Sequence, residues 1–120
     1  MPFETRKIEE DKYVVSRFDG LLTLAELEAG RRQIKEVLQQ CRWEKVLVDL
    51  RGARPEVSTF ELLQFNKSHA TELPHTQIAV LIDREVRRDA EFSENVAVST
   101  GANYRYFLDE ESAKKWLTNK

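Results

Sequence analysis

The sequence predicts an α/β fold, in which strands and helices alternate along the 120 residues. Two apolar runs, at 46–50 and 78–82, lack the polar alternation of a half-exposed strand, which is typical of strands covered on both faces. A helical pattern separates them, so the segment predicts a βαβ unit with parallel strands and a right-handed crossover. Two helix starts also share one pattern, a hydroxyl residue three positions before a glutamate, which predicts two capping boxes.

The N-terminal residues predict a hairpin. Residues 3–8 form a weak strand pattern, and 13–18 form a better one because they are β-branched and aromatic. The dipeptide at 11–12 suits a turn between them. The Asp-Gly pair at 19–20 is expected to end the second strand.

The first predicted helix begins at the capping residue Thr23 and ends near Cys41. Its apolar face carries Leu27, Ile34, Leu38 and Cys41 at helical spacing. Gly30 lies on the same face, and because glycine costs helix stability, it predicts a close approach of this helix to the sheet. Cys41 is expected to be a small buried apolar residue.

The second half of the chain predicts three more helices and one more strand. The second helix should run from Ser58 to about 73, where Pro74 stops it. A third helix, at 84–100, has a less regular apolar pattern, and a strand at 104–108 follows it. Asp109 should cap the last helix, whose core-facing residues are Ala113, Trp116 and Leu117.

These elements give the order β-β-α-β-α-β-α-β-α, with a mostly parallel mixed sheet of four to five strands and about four helices. One domain over residues 1–120 is expected from the length. The formal net charge of −2, from 19 basic and 21 acidic residues, argues against a general nucleic-acid binder. No apolar run approaches the length of a membrane span, and the N-terminus lacks an apolar signal region, so we expect a cytoplasmic protein.

Ser58 and Thr59 are the first candidate functional residues. They stand at a helix start just after a strand, where a phosphate or another anion is stabilised. A phosphate on Ser58 would add about two negative charges and act as a switch. The alternative interpretation is a simple helix cap, because Glu61 is the natural capping-box partner and would repel a phosphate.

A group of arginines is the second candidate. Arg51 and Arg54 follow one central strand, and Arg84 follows the next. Ligands of open α/β sheets gather beyond the carboxyl ends of the strands, so these residues are a candidate anion site. The alternative is a solvated rim neutralised by nearby carboxylates, since no glycine-rich phosphate loop is present.

The apolar residues of the third predicted helix cannot all face the sheet at 100° per residue. Phe92 and Val96 are spaced i, i+4, so they are a candidate exposed interface or a lid over an apolar pocket. The alternative is scattered surface hydrophobic residues.

The sequence nominates no metal site, cofactor site or catalytic group. The two histidines, His69 and His75, have no further ligands that the sequence marks out. The single cysteine excludes an intramolecular disulfide and has no CxxC partner. No nucleophile elbow is present, so an enzyme is only a remote alternative.

The element order and several residues resemble the STAS domain of anti-sigma-factor antagonists. In that family a strand ending in Asp-Leu leads to a helix start that carries a phosphorylated serine. Here Asp49-Leu50 ends the strand and Ser58-Thr59 stands at the matching offset, but Val57 and Phe60 replace the family's aspartate and glycine. These departures remove the core of the kinase-recognised motif.

The C-terminal pattern is more similar to the SpoIIAA-like small bacterial proteins, which are grouped with STAS and Sec14 (CRAL-TRIO) lipid-binding domains. The matching residues are Phe107, Asp109, Ala113, Trp116 and Leu117. The resemblance implies a non-enzymatic binding or regulatory module that acts through a protein partner or a homodimer. Its Sec14 side implies an alternative, a small carrier or sensor of an apolar, lipid-like ligand.

Overall fold

The computed structural model describes residues 3–83 and 103–118. This part of the chain forms five strands and four helices. They are β1 (Phe3–Ile8), β2 (Tyr13–Leu22), α1 (Leu24–Cys41), β3 (Lys45–Pro55), α2 (Thr59–Lys67), α3 (His69–Glu72), β4 (Gln77–Leu81), β5 (Asn103–Phe107) and α4 (Glu110–Thr118). The third predicted helix, at 84–100, lies outside the described residues together with Arg84, Phe92 and Val96.

The strands form one sheet in the order β1-β2-β3-β4-β5. β1 pairs with β2 in antiparallel orientation, and every later pair is parallel. The mostly parallel mixed sheet is therefore confirmed. The hairpin is confirmed as well, and its turn contains Lys12 in the left-handed region at φ 57°.

β2 and β3 both extend beyond their predicted ends. A register shift between Arg17 and Asp19 forms a bulge, after which the strands pair again from Asp19–Gly52 to Leu22–Pro55. Gly20 adopts a φ of 80°, which glycine tolerates without a side-chain clash. The prediction that the Asp-Gly pair ends the strand was wrong, because β2 pairs with β3 as far as Leu22 and Gly20 itself pairs with Ala53.

α1 begins at the predicted cap. The Thr23 hydroxyl accepts a hydrogen bond from the Glu26 N–H at 3.2 Å, and the Glu26 carboxylate accepts one from the Thr23 N–H at 2.9 Å. A Cβ added at Gly30 would collide with the ring of Phe18, so the predicted close approach of helix and sheet is confirmed. Cys41 is only half-buried, because it lies in the last turn of α1 beyond the buried stripe.

α2 begins at Ser58 as predicted, but the expected continuous helix to residue 73 is interrupted at Ser68. The Ser68 hydroxyl donates a hydrogen bond to the Phe65 carbonyl at 2.6 Å, which competes with regular helical bonding. The four-residue α3 then ends just before Pro74. The interruption places His69 at the start of a new helical turn.

The sheet separates two apolar layers because successive strand side chains point to opposite faces. Ile34 and Leu38 of α1 pack on one face against a cluster that includes Val14, Val46 and Ile78. α4 packs on the other face through Ala113 and Leu117, which lie against Tyr13, Leu47 and Leu81. Asp109 caps α4 by accepting a hydrogen bond from the Ser112 N–H at 2.8 Å. Trp116, which was expected to face the core, is only half-buried at the edge of this layer.

Candidate functional site

An apolar cavity of about 440 Å³ lies between the sheet and the layer of α1, α2 and α3. All three helices and the strands β2 to β5 contribute to its wall. Its apolar lining includes Leu27, Ile34, Leu50, Leu62, Leu73 and Val80. Ligand pockets in proteins have volumes of about 300–1,000 Å³ and mostly apolar walls with a few polar groups. The cavity is therefore the candidate binding site in the described part of the chain.

Arg31 is the cationic group in the helical wall of the cavity. Its Nη1 donates hydrogen bonds to the Phe65 carbonyl at 3.0 Å, the Ser68 hydroxyl at 2.6 Å and the His69 Nδ1 at 3.2 Å. Its guanidinium carbon lies 4.2 Å from the centroid of the Phe65 ring, a cation–π contact. All of these partners are neutral. Burial lowers the pKa of Arg31, against the opposing negative charges of Glu72 and Glu28.

The contact with Arg31 fixes the tautomer of His69. A guanidinium can only donate, so Nδ1 of His69 accepts and the ring proton lies on Nε2. Burial, together with the positive charge of Arg31, lowers the pKa of His69 to about 3. The ring also packs edge-on against Phe65 at 5.1 Å and Tyr104 at 5.5 Å between centroids. His69 is thus a neutral, oriented hydrogen-bond donor in the cavity wall.

Arg54 and Asp83 also line the cavity and form an ion pair with each other. Nη1 of Arg54 lies 3.3 Å from Oδ2 of Asp83 and donates a second hydrogen bond to the Ala53 carbonyl at 2.9 Å. The Arg54 side chain is 54% exposed, so this pair lies where the cavity meets solvent. Its two charges offset each other.

Arg51 lies on the other side of the sheet, where it binds Asp49 through two parallel hydrogen bonds. Nε and Nη2 of Arg51 lie 3.0 Å and 2.8 Å from the two carboxylate oxygens, and Glu110 is 3.5 Å from Nη2. Burial favours a raised pKa for the Asp49 carboxyl, but the side-chain and backbone hydrogen bonds from Arg51 outweigh burial and lower that pKa. Asp49 is only 8% exposed, so Arg51 neutralises a buried charge.

Ser58 forms the predicted capping box. Its hydroxyl accepts from the Glu61 N–H at 3.1 Å, and the Glu61 carboxylate accepts from the Ser58 N–H at 3.2 Å. Both Ser58 and Thr59 are exposed, and Thr59 borders the cavity. The structure thus shows the cap, while phosphorylation of Ser58 stays a hypothesis. The arginine anion site also stays a hypothesis, since its described members Arg51 and Arg54 have carboxylate partners on opposite sides of the sheet.

One solved structure that matches this architecture is an uncharacterised protein of the DUF3478 family from Shewanella loihica PV-4, which has a SpoIIAA-like fold. The match has a TM-score of 0.61 at 17% sequence identity, and it covers 96% of this chain and 91% of the other. The chain has the SpoIIAA-like fold. The fold prediction is therefore confirmed.

The SpoIIAA-like fold identifies an architecture and assigns no activity, because one fold hosts many functions. No protein-family model and no curated protein matches the chain in sequence. Within residues 3–83 and 103–118, no helix has the length and apolar character needed to cross a bilayer. The same residues contain no cluster of three or more metal-ligating side chains.

The sequence interpretation missed Arg31 in this SpoIIAA-like domain. Arg31 follows Leu27 by four positions and precedes Ile34 by three, so it lies on the apolar stripe of α1. The position of a charged arginine within an apolar stripe is the sequence signal that could have identified Arg31 as a candidate. His69 was expected to be a surface or partly buried residue, and it is partly buried. Its contact with Arg31 joins residues that are distant in sequence, so no local pattern indicated it.

We expect the stability of the protein to fall between pH 8 and pH 5 because of His69. Its pKa is about 3 in the folded protein, so the unfolded chain, with an ordinary pKa near 6.5, takes up a proton first. The contribution of neutral His69 to the free energy of unfolding is fully present above the unfolded pKa of 6.5. It decreases as the pH falls below that value. At pH 5 the loss should be about 2 kcal/mol, 1.5 pKa units below the unfolded value. Urea unfolding at several pH values measures it.

The His69→Gln variant should lose most of this pH dependence. The matched control is His75→Gln, which removes the other histidine, an exposed residue, and should keep the dependence. An unchanged slope in the His69 variant would contradict the assignment.

Proposed function

We propose that this protein is a non-enzymatic binding module whose cavity holds a small, mostly apolar molecule. The observation that carries the proposal is the 440 Å³ cavity between the sheet and its helical layer. A pocket of this volume with mostly apolar walls has the size and lining that small-molecule sites have in proteins.

The polar groups of the cavity support binding rather than catalysis. Arg31 and His69 fix each other, and His69 is held neutral with its Nδ1 occupied. The Ser68 hydroxyl beside them is engaged with both the Phe65 carbonyl and Arg31. Such a set can orient a ligand through a few hydrogen bonds, which is the usual role of sparse polar groups in an apolar pocket.

A second candidate function is recognition of a protein partner or of a second copy of the chain. Its support is the exposure of two large apolar side chains, Leu21 at 64% and Phe60 at 69%. Both lie near the carboxyl ends of β2 and β3, where ligands and partners of α/β proteins commonly bind. Two isolated residues are weaker support than the cavity, since single exposed apolar residues are normal.

Native mass spectrometry of the protein purified from its host tests both functions. We expect a bound small-molecule mass that is lost on denaturation. A stable dimer or protein complex without a small mass would instead favour the second function. An unliganded monomer would contradict both.

A cavity-filling variant sharpens this test. Leu63 lines the cavity but belongs to none of the buried core clusters, so Leu63→Trp adds volume there at little cost in packing. This variant should lose the small-molecule mass. The Phe60→Ser variant should keep it, and it should lose a dimer or partner if the second function holds.

A further inference from the structure

Arg31 is a half-buried cation without a direct counterion in the described part of the chain. Within residues 3–83 and 103–118, the groups that its guanidinium contacts are neutral: the Phe65 carbonyl and ring, the Ser68 hydroxyl and the His69 ring nitrogen. Withdrawing a charge from water is costly unless the charge is paired, so a half-buried arginine in an apolar wall is stabilised by a carboxylate partner. The absence of that partner here is the feature that requires an explanation.

The nearby carboxylates do not fill this role. Glu72 lies 3.8 Å from Lys35 in an ion pair, and it acts on Arg31 only at longer range, as Glu28 does. Asp83, the carboxylate that lines the cavity, pairs with Arg54 at 3.3 Å. The described residues that line the cavity therefore carry one positive charge that no carboxylate of the lining offsets, and this charge belongs to Arg31.

We propose that the cavity binds an amphiphile with a carboxylate head, and that Arg31 is the counterion of that head. This inference rests on the proposed function, which it makes specific. An arginine recognises a carboxylate through its parallel N–H groups, and only Nη1 of Arg31 is engaged within the described residues. The neutral His69, which lines the same cavity, has its Nε2–H as a further donor.

The volume of the cavity sets the size of the apolar body. A methylene group occupies about as much space as a water molecule, about 30 Å³ in the liquid, so 440 Å³ holds about fifteen such groups when completely filled. A single saturated chain of about ten carbons fits this volume with its head.

Calorimetric titration of the full chain with three probes that differ only in the head group tests the proposal. The probes are decanoate, decanol and decylammonium at pH 7. We expect decanoate to bind about tenfold or more tightly than decanol, because a charge-assisted hydrogen bond replaces a neutral one. Decylammonium should bind most weakly, since its charge has the sign of Arg31.

Variants of two adjacent arginines provide the matched comparison. Arg31→Gln should abolish the preference for decanoate while leaving the affinity for decanol nearly unchanged. Arg32→Gln removes the same charge from an exposed position on α1 and should keep the preference. Arg31→Lys, which keeps the charge, should retain part of it.

The outcomes separate this inference from the proposed function. Equal binding of the three probes by the wild type would overturn the carboxylate assignment and leave the apolar cavity standing. A decanoate preference that persists in Arg31→Gln would also overturn it. If none of the three probes binds, and if the small-molecule mass in native mass spectrometry is the same in Leu63→Trp as in the wild type, the proposed function itself is overturned.

Discussion

Replacement of Leu117 by alanine should lower the free energy of unfolding by about 3–4 kcal/mol, as deletion of a large buried aliphatic side chain does. Leu117 is fully buried on α4, where it packs against Leu47 and Leu81 on the face of the sheet opposite the cavity. Because that face is separated from α1 by the whole sheet, the loss should not depend on a bound ligand. Urea unfolding monitored by circular dichroism measures it.

Two neighbours of Leu117 calibrate this result. Trp116 is half-buried against the ring of Phe107, at 5.6 Å between centroids, so its replacement by alanine should cost about 2 kcal/mol, less than the 3–5 kcal/mol of a fully buried tryptophan. Lys115→Ala changes an exposed side chain and should cost under about 0.5 kcal/mol. A larger loss for Trp116 than for Leu117 would show that Trp116 is the residue of α4 that faces the core.

Replacement of Arg51 by alanine should destabilise the protein by about 2–3 kcal/mol, because it leaves the buried Asp49 carboxylate without its side-chain partner. The loss is smaller than for a fully buried pair, since the Arg51 side chain is 41% exposed. Asp49 also keeps one hydrogen bond, at 3.1 Å from the backbone N–H of residue 51. Thermal or urea unfolding at pH 7 measures the change.

The pH dependence of this effect has a defined sign. The folded pKa of Asp49 lies below its unfolded value, so its contribution is present above the unfolded pKa and is lost as the pH falls through the folded one. The stability difference between wild type and Arg51→Ala should therefore be largest near neutral pH and shrink below about pH 4. The control is Arg17→Ala, which removes an exposed arginine paired with Asp19 and should cost under about 1 kcal/mol. A difference that stays constant down to pH 3 would show that Arg51 contributes through packing alone.

The elements of the fold could be predicted because each depends on local chemistry. The apolar runs of β3 and β4 and the capping boxes at Thr23 and Ser58 are readable from a few neighbouring residues. The predictions that failed depend on partners distant in sequence. The dipeptide Asp19-Gly20 has the local signal of a strand end, yet pairing with β3 carries the strand to Leu22.

The candidate site was less predictable than the fold for the same reason. The exposed candidates Ser58, Arg51 and Arg54 stood out because polar residues after strands form a visible pattern. Arg31 and His69 are 38 residues apart, and they meet only through the packing of α1 against the α2–α3 segment, where Arg31 also bonds to Ser68. A cavity results from how layers fit together, and no residue pattern encodes a volume that remains unfilled.

The strands lie in the sheet in the same order as in the sequence, and this order affects the rate of folding. Each strand pairs with the strand that precedes it in the sequence, so no segment must wait for a distant one before the sheet can grow. The entropy lost in closing a loop rises with loop length, and here each closure joins two strands that are neighbours in the sequence. The sheet can therefore grow by adding strands in the order in which they occur in the sequence. Such a chain has a lower contact order than one of equal length whose central strands come from its two ends.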